Sequence, residues 1–289
     1  MNVGRYGAHE CGERLYKRFK SQSEIGTTEE KMNRYIIAGN WKMNMKKVEI
    51  RDFFDKVSGV SNIENSSFIT KIVCPVFPMI PYAMEMSENT SIIIGSQNVS
   101  EHEKGAFTGE VSASILNSIE VTYCIIGHSE RRQYFKETDA AVKQKWLQLR
   151  AEKINPIICV GETLSERESG KTFNVIKKQI EGIFKGVDIE AGEDLMIAYE
   201  PVWAIGTGKT ATPEIAQEVH AYIRKLLTNI YGECSKNIPL LYGGSVKSSN
   251  VKDLLSQADI NGALVGGASL DPNEYASLVK YAGELIVND

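Results

Sequence analysis

Four residues of the sequence have side chains that together could move a proton at a carbon atom next to a carbonyl. They are Asn40, Lys42, His128 and Glu200, and each follows a short apolar run. A glutamate can remove such a proton as a general base. A histidine can polarise the carbonyl oxygen as it becomes an enediolate, and a lysine adds positive charge there. Each residue alone would more often be solvated or purely structural, so this chemistry depends on their coming together.

Two glycine-rich turns suggest what else the substrate carries. Gly243-Gly244 and Gly266-Gly267 also follow apolar runs. A single glycine pair is usually only a turn, but glycine also lets bare backbone N–H groups approach an anion such as phosphate. No group of His, Cys or Asp residues has metal-ligand spacing, and no GxGxxG motif follows the first run. We therefore expect a phosphate site and neither a metal nor a cofactor.

The elements that must position these residues form one repeating pattern from Tyr35 onward. A short run rich in β-branched residues is followed by glycine or polar residues and then by a longer amphipathic segment. Runs that are apolar throughout indicate parallel strands covered on both faces. We predict eight strands, at Tyr35–Gly39, Lys71–Val76, Ser91–Ser96, Thr122–Gly127, Pro156–Gly161, Leu195–Tyr199, Pro239–Tyr242 and Gly262–Val265.

Eight strands that alternate with eight possible helices in about 250 residues favour a closed (β/α)8 barrel of the α/β class over a doubly wound sheet. Two helix starts are clear, at Thr212-Pro213 and at Asp271-Pro272, where Glu274 takes the third helical position. In both architectures the ligand site forms at the carboxyl ends of the strands. The candidate residues all follow strands, so we expect them to meet at one end of the barrel.

Composition narrows the partners and the compartment. The chain has 289 residues and a formal net charge of −4, with no basic block, which argues against nucleic acid and anionic membrane as partners. No segment reaches the ~20 apolar residues of a membrane span, and no secretion signal is visible. The five cysteines are widely spaced and include no CxxC pair. We expect reduced thiols and a cytoplasmic protein.

Residues 1–34 differ from the rest of the chain. Charges of both signs crowd together there, and only Leu15 and Phe19 suggest a weak helical face. We expect a mobile N-terminal extension, followed by a catalytic barrel domain over residues 35–289. A transit peptide and a natural start at Met32 remain alternatives.

Five segments give the sequence a family resemblance that runs from about Tyr35 to near the C-terminus. With these segments the sequence resembles the triosephosphate isomerase family, whose fold is the TIM barrel. They are Gly39–Asn44, Gly127–Arg132, Ala198–Gly208, Tyr242–Val246 and Leu264–Leu270.

The resemblance implies interconversion of dihydroxyacetone phosphate and D-glyceraldehyde 3-phosphate, in glycolysis and gluconeogenesis, without a cofactor. It implies that Glu200 is the base, that His128 is the electrophile, and that Lys42 and Asn40 hold substrate oxygens. It also implies a closing lid at Pro201–Ala211. The phosphate ligands implied are Gly206, Ser245, Gly266 and Gly267.

A homodimer is implied as well, because the segment Gly105–Gly109, with Phe107 and Thr108, matches the loop that enters the partner's active-site rim in this family. From the residues alone this segment is only a glycine-rich loop that exposes a phenylalanine.

Two other kinds of protein remain as alternatives. Another phosphosugar barrel enzyme, such as an aldolase or an epimerase, would need a lysine within a barrel strand or a set of His and Asp ligands. Lys42 lies after the first strand, and three of the four histidines lie away from strand ends. A non-catalytic binding protein on the same scaffold would be free to lose Glu200 or His128, and this chain has both.

Overall fold

The computed structural model of this protein describes residues 35–189, 195–204 and 211–286. The predicted extension over residues 1–34 lies outside the described residues, as do residues 205–210 of the predicted lid. Eight strands, β1 to β8, occur in the described part of the chain. Their bounds are Tyr35–Asn40, Ile69–Cys74, Ile92–Ile94, Tyr123–Ile126, Asn155–Val160, Met196–Tyr199, Leu240–Tyr242 and Gly262–Val265.

The strands form one parallel sheet in the order β3-β2-β1-β8-β7-β6-β5-β4. The two edges of this sheet meet where Ser96, just after β3, bridges in parallel to Cys124 of β4. Two backbone hydrogen bonds make the bridge, from Ser96 N to Tyr123 O at 2.9 Å and from Ile125 N to Ser96 O at 2.9 Å. The sheet therefore curls into the predicted (β/α)8 barrel and is not an open doubly wound sheet.

Helices connect consecutive strands on the outside of the barrel. Ten α-helices, α1 to α10, occur in the described residues. Their bounds are Lys47–Val57, Ile80–Ser87, Ala113–Ser118, Ser129–Phe135, Asp139–Ala151, Leu164–Glu168, Thr172–Phe184, Pro213–Tyr231, Val251–Leu255 and Pro272–Ile286. Two of the connections, β4 to β5 and β5 to β6, carry two α-helices each, so the described part of the chain has more than eight.

Both predicted helix starts are confirmed. The Thr212 side chain accepts a hydrogen bond from Ile215 N, and Pro213 begins α8. At α10, Asp271 Oδ1 accepts from Asn273 N at 2.8 Å. These caps satisfy N–H groups that have no acceptor inside the helix.

Two apolar layers explain why the strands are apolar on both faces. One buried cluster lies inside the barrel and takes alternate residues of the strands, such as Ile36, Ala38, Ile72 and Cys74. The residues between these belong to a larger cluster shared with the helices. Because successive strand side chains point to opposite faces, each strand contributes to both layers.

The predicted strand bounds differ from the observed ones mainly in β2 and β3. Strand β2 begins at Ile69 and ends at Cys74, whereas the prediction was Lys71–Val76. Its end follows from Pro75, which has no N–H to donate to the sheet. Strand β3 is only three residues long.

Candidate active site

Glu200 directly follows β6 and is 2% exposed. Its backbone N–H continues the sheet by donating to Val160 O at 2.8 Å. Its carboxylate oxygens both have partners: Oε2 accepts from Ser129 N at 2.8 Å, and Oε1 lies 2.9 Å from His128 Nε2. The structure thus brings together the glutamate after β6 and the histidine after β4.

Glycines make room for Glu200 on its two sides. A Cβ atom on Gly243 would lie 2.8 Å from Glu200 Cγ, and a Cβ on Gly161 would lie 1.8 Å from Glu200 O. Both distances are shorter than real contacts, so a larger residue would displace the glutamate. Gly243 N also donates to Tyr199 O at 2.7 Å. This N–H serves the sheet, so Gly243 itself does not offer it to a phosphate as we expected of the Gly243-Gly244 turn.

His128 caps the N-terminus of α4 with its own side chain. Its Nδ1 atom accepts a hydrogen bond from Glu130 N at 3.2 Å. A ring nitrogen that accepts carries no proton, so the proton of a neutral ring lies on Nε2 and is donated to Glu200. Position at a helix N-terminus also disfavours a second proton on the ring.

The charges of the pair act on each other's pKa. Burial lowers the pKa of His128, but the charge and hydrogen bond of Glu200 outweigh burial, so that this pKa is raised. Burial raises the pKa of Glu200, but the His128 ring, through its charge when it is protonated and through its hydrogen bond, and the N–H of Ser129 leave this pKa lowered. In this arrangement the glutamate is held ionised, and it becomes a stronger base once it leaves these partners.

A buried charged group supports the turn before His128. Glu137 Oε1 accepts from Gly127 N at 2.8 Å. The other oxygen, Oε2, accepts from Arg131 Nε at 2.7 Å and from Lys145 Nζ at 2.5 Å. Burial raises the pKa of Glu137, but these two cations lower it by more than burial raises it. The net pKa is therefore lowered, and the carboxylate stays charged.

Lys42 has an unusual backbone conformation. Its φ is +51°, in the left-handed region that non-glycine residues seldom adopt. The Asn40 side chain stabilises this turn, because Oδ1 accepts from Lys42 N at 3.0 Å. Asn40 and Lys42 therefore do not lie on one extended segment, because the strand ends at Asn40. Such strained residues often occur at functional sites.

The amine of Lys42 lies between the connections that follow β4 and β8. Nζ donates to Glu130 Oε1 at 2.6 Å. A Cβ atom on Gly266 would lie 3.9 Å from the same Nζ. Trp41 Nε1 also donates to Ser269 O at 3.1 Å, which fastens the β1 connection to the β8 connection. Lys42, Glu130 and Gly266 therefore border one site.

The two predicted phosphate turns are ordered by local bonds. Ser245 is half-buried, and its carbonyl accepts from Asn250 Nδ2 at 3.1 Å. Gly266 O accepts from Ser269 N at 2.9 Å, where Gly267 begins a short 3-10 helix. The first N–H groups of such a turn lack acceptors within it and suit an anion. Gly206, the fourth predicted phosphate ligand, lies outside the described residues.

Three neighbours of the site were missed by our sequence interpretation. Glu130 was in a motif that we used, but its partner Lys42 is 88 residues away. Gln97 Nε2 donates to Lys42 O at 2.8 Å and to Cys74 O at 2.8 Å. Glu162, fully buried after β5, accepts from Trp203 Nε1 at 3.0 Å. Its position after a strand was the signal that could have found it.

The predicted dimer loop lies on the same rim as the site. Phe107 is 42% exposed and stacks on His102, with ring centroids 3.8 Å apart. Thr108 beside it is also exposed. The loop belongs to the connection after β3, which reaches Lys42 through Gln97.

Within the described part of the chain, no three His, Cys, Asp or Glu residues are grouped so that they could hold a metal ion. In the same residues, no helix combines the length and the apolar character needed to cross a membrane.

Known proteins are similar to this chain along nearly the whole length of the barrel. A family model described as triosephosphate isomerase matches residues 35–282. The chain is 48% identical over 250 residues to the triosephosphate isomerase of Moorella thermoacetica, an alignment that covers 86% of this chain and 99% of that protein. It is 47% identical over 255 residues to that of Endomicrobium trichonymphae, covering 87% and 100% of the two chains. For the Thermus thermophilus enzyme the identity is 46% over 253 residues, with 87% and 100% covered. The chain therefore belongs to the triosephosphate isomerase family.

Proposed function

We propose that this chain interconverts dihydroxyacetone phosphate and D-glyceraldehyde 3-phosphate, an isomerisation of glycolysis and gluconeogenesis. One observation carries the proposal: a buried carboxylate, Glu200, lies 2.9 Å from the Nε2 atom of His128. The isomerisation moves a proton between two adjacent carbons, one of which bears a carbonyl. It therefore needs a base beside a hydrogen-bond donor, and this pair supplies both.

The reaction begins when Glu200 takes a proton from C1 of the ketose. The C–H electron pair forms the C1–C2 double bond, and the carbonyl electron pair moves onto the oxygen to give an enediolate. His128 stabilises that oxygen by donating its Nε2 proton as a hydrogen bond. Glu200 then returns its proton to C2, and the C1 hydroxyl proton moves to the C2 oxygen, which yields the aldehyde.

Glu200 must first change partners. Its two oxygens are occupied by Ser129 N and His128 Nε2, and both contacts lower the pKa of the carboxylate. A substrate carbonyl that accepts from His128 Nε2 takes that hydrogen bond away. The carboxylate is then freed toward the carbon acid, and its basicity rises as the contacts are lost.

The remaining residues bind the rest of the substrate. Lys42 and Asn40 face the reacting oxygens, and the lysine charge favours the enediolate. Glu130 holds the Lys42 amine at 2.6 Å, which keeps it at the site before substrate binds. Ser245, Gly266 and Gly267 offer hydrogen bonds to the phosphate at the carboxyl ends of β7 and β8, a common phosphate position in barrels of this kind.

Exchange with solvent tests this function directly. The purified chain is mixed with D-glyceraldehyde 3-phosphate in D2O that contains a chelator and no nucleotide. We expect proton NMR to show dihydroxyacetone phosphate with deuterium at C1. Glu200→Gln should abolish both conversion and exchange, while the matched variant Glu181→Gln, on the exposed face of α7, should retain both. Conversion by Glu200→Gln at the unaltered rate would contradict the proposal.

An aldolase that forms a Schiff base fits the structure less well. Among the eight described strands only β2 carries a lysine, Lys71. Its neighbours Ile72 and Cys74 alternate with it and face the barrel interior, so on that alternation Lys71 faces the helices. Its amine donates to Ser66 O. A lysine placed there is remote from Glu200 and His128.

We further propose a homodimer. The large apolar side chains that are exposed in the connections that follow β1, β3 and β4 include Met43, Phe107, Tyr134 and Phe135. Among these side chains, Met43 has the largest exposed fraction, 91%. These three connections are joined through Lys42, by its bonds to Gln97 and Glu130. A monomer would leave this apolar rim in water, which is unfavourable.

The occupant that suits the rim is the Phe107 loop of a second copy. A groove of about 680 Å³ borders the rim and is lined by Met43, Met45 and Met79, side chains that adapt well to a partner. In a twofold dimer the same loop and groove occur on both copies, so each loop can fill the other's groove.

Deleting residues 106–108 tests the dimer. We expect sedimentation to show monomers and the assay to show little activity, because the partner's loop no longer supports Asn40 and Lys42. The control variant is Ile115→Ala, which changes an exposed apolar side chain of α3 and leaves the rim unaltered. We expect this variant to remain a dimer. A fully active monomer would contradict this proposal.

A cytoplasmic location is the last part of the proposal. Both substrates are intermediates of glycolysis, and three buried cysteines, Cys74, Cys124 and Cys159, are free thiols. Fractionation of cells that express the natural gene, with antibody detection, tests the location.

A further inference from the structure

The two phosphate turns belong to different strands, so something must hold them at a defined spacing. Ser245 follows β7, whereas Gly266 and Gly267 follow β8. Strands β7 and β8 pair through only two residue pairs in the sheet, Leu241 with Gly262 and Tyr242 with Ala263. Both pairs lie before the turns. The sheet ladder therefore does not reach the phosphate site itself.

A direct side-chain bond connects the two sides beyond the sheet. Glu274, in the first turn of α10, accepts with both carboxylate oxygens from one residue, Ser248. Ser248 N donates to Oε1 at 2.6 Å, and Ser248 Oγ donates to Oε2 at 3.0 Å. Two bonds to a carboxylate in a forked geometry restrict orientation as well as distance.

Helix capping does not account for this use of Glu274. A glutamate at the third helical position commonly bonds back to its own cap residue. Here Asp271 Oδ1 already accepts from Asn273 N at 2.8 Å and from Glu274 N at 3.4 Å. The Glu274 carboxylate bonds instead to Ser248 in another connection, 26 residues away.

The segment from Ser245 to Asn250 transmits this contact to the phosphate turn. Asn250 Oδ1 accepts from Lys247 N at 2.9 Å, and Asn250 Nδ2 donates to Ser245 O at 3.1 Å. The segment is thus tied to itself as a compact loop. Fixing Ser248 therefore also fixes Ser245.

Glu274, at the other end of the contact with Ser248, is close along the chain to the Gly266-Gly267 turn. Gly267 begins the 3-10 helix that ends at Leu270, and α10 begins at Pro272. Ser269 N and Oγ both donate to Gly266 O, at 2.9 and 2.7 Å. Glu274 is therefore carried by the same short, bonded segment as Gly266 and Gly267.

We propose that Glu274 is a positioning residue for phosphate binding, which holds the Ser245 turn and the Gly266-Gly267 turn at the spacing of one phosphate group. The inference rests on the proposed function for the identity of the ligand. A carboxylate near a bound dianion is electrostatically unfavourable. Its benefit must then come from geometry, since a preformed site loses less entropy when the phosphate binds.

Two substitutions at Glu274 separate the effect of its charge from the effect of its geometry. Glu274→Gln removes the charge, but its amide oxygen still accepts from Ser248 N and its amide group can donate to Ser248 Oγ. Glu274→Ala removes both bonds. We expect Glu274→Ala to weaken inorganic phosphate binding and to raise KM by about tenfold each, with a much smaller fall in kcat. Glu274→Gln should bind phosphate at least as well as the unaltered chain.

Binding of inorganic phosphate is measured by calorimetry on the full chain, and KM and kcat by assay of the same samples. The matched control is Glu284→Ala. Glu284 lies on the same helix and bonds to Lys252 of α9, so it joins α10 to the same connection between β7 and β8, but at the end remote from the turns. This control should leave phosphate affinity and KM unchanged, even if the melting temperature falls.

Any of three results with the variants would overturn the proposal: phosphate affinity unchanged in Glu274→Ala, an equal loss in Glu284→Ala, or a loss in Glu274→Gln as large as that in Glu274→Ala. A chain that binds no phosphate would overturn it as well. The proposed function fails separately, if the unaltered chain binds phosphate with the expected response to these variants but does not convert triose phosphates.

Discussion

The two halves of the candidate site are built in different ways. On the side of β4 and β6, the reacting groups are side chains, and Glu200 and His128 are 2% and 5% exposed. On the side of β7 and β8, the predicted phosphate ligands are mainly backbone groups in turns, where Ser245 and Gly266 are half-buried and Gly267 is exposed.

The difference follows from what each half must do. Proton transfer needs a base whose protonation and position are controlled, and burial among fixed partners controls both. A phosphate is large and fully charged, and exposed N–H groups bind it while it exchanges with solvent. We therefore expect changes on the buried side to lower kcat and changes on the open side to raise KM.

The largest effect is expected from Glu200→Asp. The aspartate keeps the charge but withdraws the carboxylate by roughly 1 Å, and a displacement of that size can lower kcat by about 10²-fold. KM should change by less than about threefold, because the phosphate is bound on the other side. Steady-state kinetics measures both. Nearly full turnover would show that Glu200 is not the base.

A tenfold smaller loss is expected from Gly243→Ala. The new Cβ would lie 2.8 Å from Glu200 Cγ, so the glutamate must shift by a few tenths of an ångström. We expect kcat to fall by about tenfold. Gly59→Ala is the control, since a Cβ there meets nothing within 4 Å. Equal kcat values for the two variants would indicate that the base tolerates displacement.

A change in pKa tests the coupling on the buried side. Glu200 raises the pKa of His128, whereas burial lowers it. In Glu200→Gln only burial, Lys42 and Glu130 remain, so we expect the pKa of His128 to fall and the ring to stay neutral over the working pH range. Nitrogen-15 NMR of the ring measures this, with His102 as an exposed reference. A pKa that stays raised would show that another group controls the ring.

The smallest effect is expected from the N-terminus. We propose that residues 1–34 lie outside the catalytic domain, because they show no pattern that could form a core. Removing residues 1–31 should leave kcat, KM and the melting temperature almost unchanged. A large fall in kcat or a large rise in KM would show that these residues contact one side of the site.

Much of the architecture was predictable because it depends on local patterns. The eight apolar runs predicted the barrel, and the Thr212-Pro213 and Asp271-Pro272 pairs predicted the starts of α8 and α10. Position after a strand was enough to select Glu200, His128 and Lys42, since parallel strands end on one side of a sheet. A strand that is buried on both faces is recognisable in the sequence because its residues form an unbroken apolar run.

The contacts inside the site were not predictable, because they join residues that are distant along the chain. Glu200 meets Ser129 across 71 positions, and Lys42 meets Glu130 across 88. Glu274 was correctly placed in the first turn of α10, but nothing near it in the sequence indicates Ser248 as its partner. The left-handed turn at Lys42 likewise depends on the Asn40 side chain and on Gln97 from the connection after β3.

The sequence by itself therefore determined which side chains stand at the ends of the strands and that those ends share one side of the barrel. Only the tertiary structure decided their partners, such as the His128 and Ser129 contacts that hold Glu200 ionised before substrate binds. The physical reason is that apolar periodicity specifies burial one residue at a time. Hydrogen bonds of defined length between strands exist only after the barrel has closed and the register of all eight strands is set.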